Sequence, residues 1–125
     1  MKSLGELQLQ VMQAVWGLEQ ATVSDVHQAL SARRKIAYTT VMTTMRSLER
    51  RGLLRHEAAG KAFLYKPAVS RQDYAARSVG HLVEAFFGGQ EERLLCHLLG
   101  AESVSKADVG KIKKMLSEGQ GEDKP

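Results

Sequence analysis

The sequence predicts a mainly α-helical fold carrying one small β-wing, with a second group of helices behind it. Three observations lead there. Apolar residues recur at three- and four-residue steps through most of the 125-residue chain, which is the mark of helices with one buried face. A stretch from Leu53 to Lys66 instead holds strand-forming residues around a Gly-Lys turn. Hydroxyl residues followed three positions later by an acid, at Thr22/Asp25, Ser70/Asp73 and Ser105/Asp108, form capping boxes that open helices.

The first helix is expected over Leu4–Leu18, where Leu4, Leu7, Val11, Ala14, Val15 and Leu18 make the apolar stripe and Trp16 adds surface to bury. Thr22 opens a short second helix with Val26, Ala29 and Leu30 inward, and Arg33-Arg34-Lys35 interrupts the pattern as a loop. A third helix runs from about Tyr38 to Arg51 and stops at Gly52, a residue that readily takes the left-handed backbone closing a helix. Leu53–Ala58 and Ala62–Lys66 are short strands joined through Ala59-Gly60-Lys61, and Pro67 ends the second.

Beyond the hairpin come three more helices. Ser70 opens one with Ala75, Val79, Leu82, Val83 and Phe86 as its stripe, ended by Gly88-Gly89. Glu91–Leu99 is a second, apolar at Leu94, Leu95, Leu98 and Leu99. Ser105 opens the last, with Val109, Ile112, Met115 and Leu116. The order helix, helix, helix, strand, turn, strand is that of a winged helix-turn-helix. The domains are therefore read as 1–68, a winged helix-turn-helix DNA-binding domain; 69–118, a helical dimerisation domain; and 119–125, a polar disordered tail. So short a C-terminal helical region cannot bury an independent core. It is expected to complete itself against a second copy through Tyr74, Val79, Leu82, Val83, Phe86, Leu94, Leu95, Leu98, Leu99, Ile112 and Leu116.

Composition narrows the function. Hydrophobic residues make up 43% of the chain and charged ones 26%, as in an ordinary globular protein. No apolar run approaches the roughly 20 residues of a membrane span, and no signal peptide is read, so a cytoplasmic location is expected. A single cysteine, Cys96, excludes an intrachain disulfide and cannot by itself hold zinc. His27, His81 and His97 have no ligand spacing. No phosphate loop, metal triad or nucleophile–base arrangement suggests an enzyme, and no cofactor or metal is expected.

The formal charge of +4 is unevenly placed: residues 33–66 carry nine basic side chains against Glu49 and Glu57. Concentrated positive charge is the footprint of a phosphate-backbone binder. At about 100° per residue, Ala37, Val41, Thr44, Met45 and Leu48 turn one way on the third helix, and Thr39, Thr43, Arg46 and Arg50 turn the other, flanked by Thr40, Met42 and Ser47. Threonine and arginine read base edges, and the N-terminal part of a recognition helix is what reaches them. Base reading is thus expected of Thr39, Thr40, Thr43 and Arg46. Phosphate contact is expected of Arg50, Arg51, Arg55 and, on the wing, Lys61, with His56 in support. The partner is double-stranded DNA. The alternative is a winged-helix module for protein contacts, which would more often expose apolar or aromatic anchors on that face.

Several stretches carry a family resemblance: Leu4-Gly5-Glu6-Leu7 with Val11-Met12-Gln13-Ala14-Val15-Trp16, Val26-His27-Gln28-Ala29-Leu30, Ala37-Tyr38-Thr39-Thr40-Val41-Met42-Thr43, Leu48-Glu49-Arg50-Arg51-Gly52-Leu53-Leu54 and Gly60-Lys61-Ala62-Phe63-Leu64-Tyr65. In order and spacing, from Leu4 to about Leu116, the chain resembles the BlaI/MecI/CopY family of penicillinase repressors. The resemblance implies a homodimer with interlocked C-terminal helices that binds palindromic operators and blocks transcription, of β-lactam-response or related stress genes. The family's recognition threonines fall on Thr40 and Thr43. Members paired with a membrane β-lactam sensor protease are cut at an Asn-Phe pair, and the corresponding residues here are Cys96-His97. The copper-responsive branch has a C-terminal cysteine cluster, whereas this chain has only Cys96. A metal, redox or small-ligand inducer is the alternative to proteolysis.

Overall fold

Helix α1 (Glu6–Leu18) begins where Gln8 folds back so that its Oε1 accepts the Gly5 N–H at 3.2 Å. The computed structural model describes residues 4–100 and 105–122, with side chains through 115. Val11, Met12 and Val15 are fully buried. Leu18, expected in the stripe, is 46% exposed because the helix ends there and Glu19 turns the chain with φ 71°. Helix α2 (Val23–Ser31) is capped as the sequence predicts: Thr22 Oγ1 accepts the Asp25 N–H at 3.1 Å, and Asp25 Oδ2 accepts the Thr22 N–H at 3.0 Å. Val26 and Leu30 face the core, whereas Ala29 stays exposed.

Helix α3 (Tyr38–Arg50) buries Val41, Met45 and Leu48 completely. Its end is a Schellman closure, with Gly52 at φ 78° and the N–H groups of Gly52 and Leu53 donating to the carbonyls of Glu49 and Leu48. That turn delivers the chain into strand β1 (Leu54–Ala59), which pairs antiparallel with β2 (Ala62–Pro67), Leu54 opposite Pro67 and Ala59 opposite Ala62. One pairing was not legible beforehand. Ala21 exchanges two backbone hydrogen bonds with Tyr65, at 2.9 and 2.8 Å, and so pins the hairpin to the loop before α2.

The first compact unit extends to Ala76 rather than to residue 68. Helix α4 (Arg71–Phe87) begins inside it. Trp16 is the cause: its indole N–H donates to the Val69 carbonyl at 2.9 Å, and its ring lies 6.0 Å from that of Tyr74. Val69 and Tyr74 are each 8% exposed and belong to the same core as Val11 and Leu48. Tyr74, expected on a dimer surface, is therefore a core residue of the first unit.

The second unit, from Arg77 onward, holds the rest of α4, α5 (Glu91–Leu99) and α6 (Lys106–Glu122). The Ser105/Asp108 box caps α6, and Lys113 pairs with Glu91 across α5 and α6. Of the described residues here only Val83 and Val109 are buried. Val83 is thus spent inside its own unit. Leu94, Leu95 and Ile112 are half-buried, and Val79, Leu82, Phe86, Leu98 and Leu99 are exposed, Phe86 by 76%. The side chain of Leu116 lies outside the described residues. The expected disordered tail departs from the structure over 119–122, where α6 continues to Glu122. Extending a helix already nucleated costs little per residue. Residues 123–125 lie outside the described part. Among the described residues, no helix is long and apolar enough to cross a membrane.

Candidate nucleic-acid interface

Because Val41, Met45 and Leu48 are locked into the core, the opposite face of α3 has one orientation. Thr39, Thr40, Thr43, Arg46 and Arg50 are all exposed on it. Four of the expected site residues, Thr39, Thr43, Arg46 and Arg50, recur at helical spacing along a single line. Thr44 takes no part, since its hydroxyl donates to the Thr40 carbonyl at 2.8 Å. The start of the helix is braced from α2. His27 Nε2 lies 2.8 Å from the Ile36 carbonyl, which can only accept, so that nitrogen carries the proton. The same ring meets Tyr38 edge-on at 5.7 Å.

A groove of about 300 Å3 separates the start of α2, the flank of α3 and the hairpin. Its walls include Thr22, Ser24, Tyr38, Met42 and Phe63, and its two cations are Arg46 and Lys61. Lys61 stands at the wing tip beside Gly60, whose φ of 64° makes the turn. Sequence reasoning missed Thr22, Ser24 and Tyr38. The capping box was the available signal, because a helix N-terminus presents unpaired N–H groups and positive dipole toward whatever lies in front of it.

The remaining expected cations are placed differently. Arg51 is half-buried and donates to Gln8 Oε1 at 3.0 Å. Arg55 lies on the hairpin face opposite that of His56 and Tyr65, 3.6 Å from Glu57, which Lys66 also approaches at 3.2 Å. Strand alternation sends Arg55 and His56 to opposite sides. His56 is committed as well: Nδ1 is 2.5 Å from Glu49 Oε2, and its ring stacks on Phe63 at 4.2 Å. Behind it, burial pushes the Tyr65 phenol above its ordinary pKa of 10.0, with the Glu49 carboxylate adding to the rise and Arg46 opposing it. Thr39, Thr40, Thr43, Arg46 and Arg50 thus share the exposed face of α3, Lys61 meets Arg46 in the groove, and Arg51 and Arg55 are engaged with Gln8 and Glu57.

The sequence matches the penicillinase repressor family over residues 4–118. The transcriptional regulator BlaI of Mycobacterium tuberculosis is 35% identical over 117 residues, covering 92% of this chain and 83% of that protein. The chain belongs to the penicillinase repressor family. Its members are DNA-binding transcriptional repressors, not enzymes. The solution structure of the DNA-binding domain of the repressor BlaI superposes with a TM-score of 0.52 and 27% identity, over 59% of this chain and 94% of that one. The monomeric form of Bacillus licheniformis BlaI, solved in complex with the blaP half-operator, gives 0.51 and 26%, over 58% and 89%. The penicillinase repressor assignment thus covers both units, while these two solved structures cover little more than half the chain.

Proposed function

We propose that this repressor binds a palindromic operator as a homodimer and reads each half-site with Thr39, Thr40, Thr43 and Arg46. The observation that carries the reading is the two-sidedness of α3: three side chains at zero exposure hold it, and the exposed Thr/Arg line faces away from them. Arg50 and Lys61 grip phosphates on either side, and the hydroxyls of Thr22 and Ser24 lie where a strand following the groove would pass. The half-operator complex of the B. licheniformis relative supports DNA as the ligand. A second copy supplies the cover that Leu82, Phe86, Leu98 and Leu99 lack. In this role the protein works in the cytoplasm. Release through a membrane sensor protease would act at Cys96-His97 in α5, a helix with no fully buried residue.

The test is a comparison of operator with random DNA. The operator is first selected from a random library, and Thr43→Ala and Arg46→Ala are then measured on both. Each should cost about 1–3 kcal/mol per half-site on the operator and much less on random DNA. Equal losses on the two would remove the base-reading assignment.

A further inference from the structure

We propose that the Glu49–His56 bridge is a positioning device, which ties the wing to the recognition helix and thereby aims Lys61 at the DNA backbone. The inference rests on the reading of Lys61 as a phosphate contact and adds the residues that place it. Glu49 is the one acidic residue in α3. It points at the hairpin and accepts from His56 Nδ1 at 2.5 Å, with both side chains about one-third exposed. The other side of the imidazole lies on Phe63, with ring centroids 4.2 Å apart and planes 25° off parallel. Phe63 pairs with Ala58 and sits two residues from Lys61.

The hairpin needs this tie. Its base is held by buried Leu54 and Tyr65, but every residue from Arg55 to Phe63 is exposed. A two-stranded ribbon without a packed face is marginal in water. Phe63 itself is 48% exposed, and its stacking on His56 joins the two strands of the wing, so the Glu49–His56 bond from α3 is carried across to β2. The chain of contacts therefore runs from Glu49 to His56 to Phe63 and on to the tip. It also keeps a carboxylate that lies among arginines turned toward the imidazole and not toward incoming phosphate.

Double-mutant cycles on the full chain test this, with affinity for the selected operator measured across potassium chloride concentrations. In the parent dimer Lys61→Ala should weaken operator binding about tenfold and lower the salt slope by about 1.8, as loss of one charged contact from each half-site does. In a His56→Ala background the same change should cost less than about threefold, because the lysine is no longer aimed. Glu49→Ala reaches the bridge from the helix side, where alanine keeps helix propensity, and should abolish the Lys61 dependence equally. It keeps the test decisive if His56→Ala unfolds. A persistent tenfold Lys61 effect in either background would overturn the inference and leave the wing contact standing. No Lys61 effect in the parent protein would overturn both.

Discussion

Two neighbouring arginines at the end of α3 should behave as different kinds of residue. Arg50 is exposed on the Thr/Arg line, and among the described residues its guanidinium has no hydrogen bond or ion pair. Arg51 is half-buried and donates to Gln8 Oε1 at 3.0 Å, an oxygen that also accepts the Gly5 N–H. Replacing Arg51 by alanine removes a charge-assisted bond between the end of α3 and the start of α1, at a cost of about 1–2 kcal/mol. For a unit of this size that lowers the melting temperature by roughly 5–10 °C. Arg50→Ala is a surface change in a helix, so stability should move by less than about 0.5 kcal/mol. What Arg50→Ala should lose is one phosphate contact in each half-site of the proposed dimer. The salt slope of operator binding falls by about 1.8, so the penalty between 50 and 200 mM salt eases by about 12-fold. Anisotropy titrations with labelled operator, paired with thermal melts by circular dichroism, read both quantities. An Arg51→Ala variant that melts like the parent and flattens the slope as much as Arg50→Ala would refute this division of labour.

Other outcomes follow from the two units and the core. Phe86→Glu or Leu98→Glu, at positions 76% and 68% exposed, should shift sedimentation at micromolar concentration to monomer without lowering the first unit's melt; a persistent dimer would remove these residues from the interface. Leu48→Ala, at zero exposure, should cost about 3 kcal/mol in denaturant unfolding, and a loss under about 1 kcal/mol would show the core to be loosely packed there. Tyr65 has a folded-state pKa above 10.0 because burial disfavours the phenolate. Its contribution is therefore intact below pH 10 and falls as pH rises toward the folded value, because the unfolded chain ionises first. The difference in stability between the parent and Tyr65→Phe should shrink through that window, and a constant difference would contradict the shift.

Local patterns carried most of this architecture. The stripe of Val41, Met45 and Leu48 follows from angle alone, the Thr22/Asp25 box marks where α2 begins, and Gly52 stops α3 because a left-handed residue is needed there. What escaped notice depends on partners distant in sequence. Trp16 and Val69 are 53 residues apart and Gln8 and Arg51 are 43 apart; no periodicity reports such pairs. Ala21 bridges Tyr65 through backbone atoms only, and a single alanine in a tight loop has no alternation to detect. Arg55 is a different case. Period-two alternation in β1 already separates it from His56, so its absence from the α3 side of the wing was readable from the strand pattern.

The placement of Cys96 and His97 bears on how repression would end. In the proposed dimer the two reading faces are tethered, and occupying one half-site raises the effective concentration at the other. Such linkage multiplies affinity by about 10²–10⁴ without any new contact. That factor depends on the second unit, where Val83 and Val109 are the buried residues among those described and α5 has none. Opening α5, by cutting or by binding, therefore needs little packing to be broken within that unit. It would forfeit the linkage factor and leave Thr39, Thr43 and Arg46 untouched on a first unit whose own core, Val11 through Tyr74, stays closed. The B. licheniformis relative was itself solved in monomeric form in complex with a half-operator. Control in this repressor would then act on the assembly that multiplies the contacts, and the reading face would need no switch of its own.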